Sequence, residues 1–120
     1  MSVLDAFSLS GKVSVVTGAN RGIGRALITA LAEAGSDVVL LVRDTGGAAE
    51  LIKELAALGV TAIAVTADVT EPDQVRRAAG EVMNRLGQVD VLVNNAGACI
   101  HRPALDVTAE EWRFVMDVNV

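Results

Sequence analysis

The 120-residue sequence contains no tyrosine, one cysteine and two prolines, and its aromatic residues are two phenylalanines and one tryptophan. With so few aromatics, any core has to be built from Val, Leu, Ile and Ala. One cysteine cannot form an internal disulfide, which fits a reducing compartment and makes cytoplasm the expected location. There is no basic excess: the net charge is −5, which argues against a nucleic-acid partner. No apolar run reaches the roughly 18 residues of a membrane span, so no membrane partner is expected. Residues 1–12 show neither a basic start nor an apolar stretch of the signal-peptide kind. No metal cofactor is expected either.

Apolar residues are plentiful, at 52% of the chain, and they fall in short bursts. Val13–Thr17 is a β-branched stretch. It runs into Thr17-Gly18-Ala19-Asn20-Arg21-Gly22-Ile23-Gly24, and a helical pattern follows. Glycines at a strand-to-helix turn are the setting of a nucleotide-binding loop. Gly18 allows the tight turn, Gly22 leaves room for a phosphate, and Gly24 lets the helix pack closely on the strand. The helix N-terminus then offers its free N–H groups to an anion. The competing reading is a tight turn in an α/β protein that binds no nucleotide.

The first helix is expected over about 22–34, with Ile23, Leu27, Ala30, Leu31 and Ala34 on its inner face and Gly35 as its cap. Asp37–Val42 is apolar without alternation, as in a strand buried on both faces of a parallel sheet. A second helix is expected from Gly46-Gly47 to Leu58, with Leu51, Leu55 and Leu58 inward. A third strand is expected over Thr61–Thr66. Thr70 is placed to cap a third helix that carries Pro72 in its first turn and buries Val75, Ala79, Val82 and Leu86. A fourth strand is expected over Val89–Val93. Thr108 and Glu111 form a capping-box pair for a last helix, with Trp112 as its core anchor. The order βαβαβαβα implies parallel strands joined by right-handed crossovers.

Four elements in order carry a family resemblance: Thr17-Gly18-x-x-x-Gly22-Ile23-Gly24, Asp68-Val69, Asn94-Asn95-Ala96-Gly97, and Asn119 within Asp117-Val118-Asn119-Val120. Together they closely resemble the N-terminal half of the short-chain dehydrogenase/reductase family, over essentially the whole chain. A methyltransferase-type Rossmann domain does not explain the Asn94–Gly97 stretch. The resemblance implies an α/β fold: a Rossmann-type doubly wound parallel sheet of three layers, α/β/α, in its N-terminal part only, with strand order 3-2-1-4. Residues 1–120 would be its dinucleotide-binding domain.

The resemblance also implies roles. Thr17, Gly18, Asn20, Arg21, Gly22, Ile23 and Gly24 would hold the cofactor pyrophosphate. Asp68 would bond the adenine and Val69 would lie against it. Asn94, Ala96 and Gly97 would line the cofactor, with Asn94 also a candidate for tying adjacent strands. Asn119 matches the catalytic asparagine that holds a water in a proton relay.

A carboxylate at the end of the second strand would pair with ribose hydroxyls and repel a 2′-phosphate. Val42 stands there instead, followed by Arg43, and Arg21 lies inside the glycine motif. Guanidinium forks suit phosphate oxygens, so NADP is expected over NAD, with Asp44 as a reservation.

The family's remaining catalytic residues, a Ser and a Tyr-x-x-x-Lys, have no counterparts in these 120 residues. The expectation is that the sequence is part of a longer parent and does not catalyse alone, with its fourth strand left as an apolar edge prone to aggregation. The parent is expected to act on a small-molecule carbonyl or alcohol, a sugar acid or polyol, and to be a homodimer or homotetramer. His101 and Arg102 would attract an acidic substrate, or belong to a solvated loop. Cys99 reads as a small packing residue. A 3-oxoacyl thioester reductase and a non-catalytic NADP-binding module are the other readings.

Overall fold

The computed structural model describes residues 2–120. Eight regular elements alternate: β1 (Val13–Thr17), α1 (Gly22–Glu33), β2 (Asp37–Val42), α2 (Ala49–Ala56), β3 (Ala62–Thr66), α3 (Pro72–Leu86), β4 (Val91–Val93) and α4 (Ala109–Asn119). The strands form one parallel sheet in the order β3-β2-β1-β4. Among the described residues, no helix is long and apolar enough to cross a membrane.

The pleat of β2 divides the core. Val38, Leu40 and Val42 pack with Val16, Ile28 and the α2 residues Leu51 and Leu55 on one face. Val39 and Leu41 pack with Val13, Val15, Ile63 and the α3 residues Ala78 and Val82 on the other. This two-sided burial explains why β2 shows no polar alternation. Leu51 and Leu55 are fully buried, each contributing roughly 1.5–3 kcal/mol of transfer free energy.

Several elements differ from the sequence expectation. On α1 the buried stripe is Gly24, Ile28 and Ala32, with Leu31 beside it, while Ile23 is 74% exposed and Leu27 also faces outward. Both stripes satisfy helical spacing; the inward demand of Gly24, described below, selects between them. Helix α2 starts three residues after Gly46 because a turn closed by Asp44 and a second turn from Thr45 to Ala48 occupy the preceding chain. Strand β3 starts at Ala62 rather than Thr61. On α3 the inner line is Ala78, Val82 and Leu86, and Val75 and Ala79 are exposed. Thr70 does not cap this helix. Glu71 is its N-cap, Pro72 occupies the first turn, and Gly87 ends it in the left-handed conformation.

Strand β4 begins at Val91, not Val89. Asp90 intervenes: its Oδ2 accepts the Val13 N–H at 2.9 Å, and its own N–H donates to the Val13 carbonyl at 2.9 Å. Among the described residues β4 pairs only with β1, and Leu92 is 57% exposed. The α4 capping box forms as expected, with reciprocal 3.1 Å bonds between Thr108 and Glu111. Trp112 is not a core anchor: it is 63% exposed, because the inner line of α4 runs through Glu111, Val115 and Val118.

Candidate functional site

The C-terminal ends of the strands open into a cleft of about 810 Å³. The chain builds β1, β2 and β3 in one direction and then returns to place β4 on the other side of β1. Such a reversal parts the loops above the sheet and leaves a crevice there. One wall is the β1–α1 turn, from Gly18 to Ile23. The end of β2 supplies Val42, Arg43 and Asp44; the end of β3 supplies Asp68 and Val69; the chain after β4 supplies Asn95 to Cys99.

The floor is stitched by hydrogen bonds. The Thr17 hydroxyl accepts the N–H groups of Asn95 and Ala96 at 2.9 and 2.8 Å and donates to the Val93 carbonyl at 3.4 Å. Asn95 Nδ2 donates back to the carbonyls of Thr17 and Gly18 at 3.1 and 3.2 Å. Thr17 is buried beneath the cleft and holds its floor without lining it. The strand-tying asparagine is therefore Asn95, not Asn94, which is exposed and outside the cleft lining. The doubled asparagine was a visible signal. Only the burial of one side chain over Thr17 tells the two apart.

Gly18 has φ +62°, and an added Cβ would stand 3.1 Å from the Ala96 Cα. Gly24 is tighter: a Cβ would meet the Gly18 carbonyl oxygen at 2.4 Å and Asn95 Nδ2 at 2.5 Å. Helix α1 thus approaches the β4 loop as closely as backbone permits. Its N-cap, Arg21, makes no side-chain cap, so no side chain competes for the first-turn N–H groups.

Arg21 and Arg43 both line the cleft and are solvent-exposed, and neither is ion-paired among the described residues. Asp68 Oδ1 accepts the Thr70 hydroxyl at 2.7 Å and the Thr70 N–H at 2.9 Å. These bonds hold its carboxyl below the ordinary 3.8, with a smaller contribution from the Arg43 guanidinium. A folded-state pKa below the unfolded one gives stability that is present above the unfolded value and lost as pH falls through the folded value. Thr70→Val keeps the N–H and deletes the hydroxyl. The Asp68 pKa should then move up toward 3.8, read as the carboxyl chemical shift in an NMR titration. An unchanged titration would mean that the hydroxyl bond is not what holds Asp68 ionised.

Asn119 lies just outside the cleft lining. Its Nδ2 donates to the carbonyls of Ala98 and Val115 at 2.6 and 2.7 Å, and its Oδ1 accepts the Ala98 N–H at 3.3 Å. The side chain fastens the loop after β4 to the end of α4. Arg102 is paired with Glu111 at 2.7 Å, so its charge is answered within the protein rather than offered to a ligand. His101 Nε2 lies 3.3 Å from Cys99 Sγ, and Cys99 is exposed at the cleft rather than packed. Sequence reasoning missed Leu41, Ala67, Asn95, Phe114 and Val118 as cleft residues. The α4 pair sits one turn apart on one face, a pattern shared with any packing helix.

Sheet order, layering and crevice define a Rossmann-type α/β domain. The model of the family described as short chain dehydrogenase matches residues 12–120, and the chain belongs to that family. It is 38% identical over 120 residues to the 2-dehydro-3-deoxy-D-gluconate 5-dehydrogenase of Escherichia coli K12, covering 98% of this chain and 46% of that protein. Among solved structures, it resembles a gluconate 5-dehydrogenase from Burkholderia cenocepacia J2315 in complex with NADP and tartrate (39% identity, TM-score 0.91, 99% and 47% of the two chains). It also resembles the NADPH-dependent 3-quinuclidinone reductase of Rhodotorula rubra (38%, TM-score 0.91, 99% and 46%). The chain spans less than half the length of the curated relatives it matches.

Proposed function

We propose that residues 1–120 are the dinucleotide-binding domain of an NADP(H)-dependent oxidoreductase that interconverts an alcohol and a ketone on a sugar acid or polyol. The observation that carries the cofactor choice is the pair of guanidinium groups, Arg21 and Arg43, at the cleft beside Val42, neither of them ion-paired among the described residues. No carboxylate ends β2, and a ribose 2′-phosphate in this cleft would share it with two guanidinium groups, whose forks suit phosphate oxygens. Relatives whose descriptions name NADP or NADPH support the same choice, and the gluconate-type relatives support the substrate class.

The cleft fits such a cofactor. Gly18 and Gly24 keep the β1–α1 turn free of side chains, and the uncapped start of α1, with Asn20, Gly22 and Ile23 around it, would receive the pyrophosphate. Asp68, kept ionised by Thr70, would accept from the adenine amino group, with Val69 against the ring. Ala96 and Gly97, positioned by Thr17 and Asn95, would border the nicotinamide half. When bound, the nicotinamide supplies hydride transfer. Asn119 would hold the loop that faces the reacting carbon and contribute to the proton path.

The chain has no tyrosine to serve as the proton donor that the family resemblance implies. The 120 residues alone should therefore bind cofactor without turnover. Titration of nicotinamide fluorescence tests the reading: NADPH should bind at least about tenfold tighter than NADH, the worth of one charge-assisted phosphate contact. Tighter binding of NADH would overturn it.

A further inference from the structure

Asp44 presents a charge problem at this site. It borders the cleft beside Arg43. A free carboxylate there would repel a ribose 2′-phosphate and favour a 2′-hydroxyl. One of the two Asp44 carboxylate oxygens is engaged within the loop. Its Oδ1 accepts the Gly46 N–H at 2.8 Å and closes an Asx turn. The Ala48 N–H then donates to the Thr45 carbonyl at 3.0 Å, and α2 begins at Ala49. The N-cap of α2 is Ala48, which has no polar side chain to order this end of the helix. The Asp44 carboxylate does the ordering from two residues before Gly46. Gly46 suits the turn closely, since an added Cβ would lie 3.1 Å from Asp44 Oδ1.

On its other side, Arg43 follows Val42, which is in register with Thr66 and whose carbonyl accepts the Ala67 N–H at 2.9 Å. The Arg43 backbone is thus held between the β2–β3 ladder and the Asp44 turn. We infer that Asp44 is a positioning residue: its carboxylate builds the β2–α2 loop that presents Arg43 to the cofactor, and its charge does not select the cofactor. This inference takes its ligand from the NADP(H) reading, but the role of the carboxylate is testable apart from it.

Asparagine keeps the acceptor and removes the charge; alanine removes both. The dissociation constants of NADPH and NADH are measured by nicotinamide fluorescence on the intact protein and on Asp44→Asn and Asp44→Ala, with amide exchange of Gly46 followed by NMR. Asp44→Asn should stay within about twofold of the parent for both nucleotides, the spread of a neutral surface change. Asp44→Ala should weaken NADPH by about fivefold, the value of one lost hydrogen bond, while NADH changes little and the Gly46 amide exchanges faster. The inference is overturned if Asp44→Asn tightens NADPH or weakens NADH by more than about tenfold, since the charge itself would then be selecting. It is equally overturned if Asp44→Ala matches the parent in both nucleotides and in Gly46 exchange. A parent that prefers NADH defeats the NADP(H) reading alone. The Asp44→Asn comparison and the Gly46 amide still judge the role of Asp44.

Discussion

Gly24→Ala is expected to destabilise the protein by about 2–3 kcal/mol, against the usual direction for a helical glycine. In an ordinary helix interior the change would gain up to about 1 kcal/mol from backbone entropy. Here the new Cβ would lie 2.4 Å from the Gly18 carbonyl oxygen and 2.5 Å from Asn95 Nδ2. The first neighbour is backbone, tied through Gly18 N–H to the Leu41 carbonyl at 2.9 Å, and cannot swing aside. The second can move only by giving up its bonds to Thr17 and Gly18, at about 1 kcal/mol each. Overpacking and lost bonds together exceed the entropy gain.

Gly80 is the internal control. It is an exposed glycine within α3, with nothing within 4 Å of an added Cβ. Gly80→Ala should raise stability by about 0.5–1 kcal/mol. Thermal melts followed by circular dichroism separate the two: Gly24→Ala should melt about 10 °C or more below the parent and Gly80→Ala slightly above it. A Gly24→Ala protein that melts at or above the parent would show that α1 does not press on the β4 loop.

Arg43→Ala should weaken NADPH binding by about 10- to 100-fold and leave NADH nearly unchanged. The guanidinium is exposed and has no ion-pair partner among the described residues, so its removal orphans no buried group and leaves the fold intact. The loss falls on the phosphate contact alone. It should also shrink as salt rises, because an exposed contact is screened over about 8–10 Å at ordinary ionic strength. Arg21→Ala should act in the same direction. Equal preference for the two cofactors in the parent and in Arg43→Ala would rule out the assignment of the 2′-phosphate to this residue.

Much of this was legible in the chain. Val13–Thr17 and Asp37–Val42 are β-branched or leucine-rich runs without alternation, and both are strands at the bounds expected. Gly35, Gly59 and Gly87 end helical patterns, and all three take positive φ. The Thr108–Glu111 capping box is a local arrangement and formed as spaced. The sheet order 3-2-1-4 was implied by the family resemblance and is the order observed. The strands, glycine ends and capping box rest on interactions within a few residues, and the parallel, right-handed connections on rules that act on any βαβ unit.

Within the candidate site, the segments were visible and the duties of their side chains were not. Thr17 and Asn95 are 78 residues apart, and nothing local in Asn94-Asn95 marks which amide turns toward Thr17. Asp44 was legible as a charge beside Arg43, while its use in an Asx turn depended on where the Gly46 N–H came to lie. The inward face of α1 had two solutions of equal periodicity. The approach of Gly24 to Gly18 and Asn95 settled it and turned Ile23 to solvent. Trp112 was large and apolar enough to suggest a core anchor, yet the inner line of α4 passes through Glu111, Val115 and Val118. The sequence by itself determined the succession of strands, helices and glycine turns, because each is specified by short-range periodicity and backbone permissiveness. The tertiary structure alone decided which face and which asparagine is used, because those choices depend on close contacts between segments far apart in the chain.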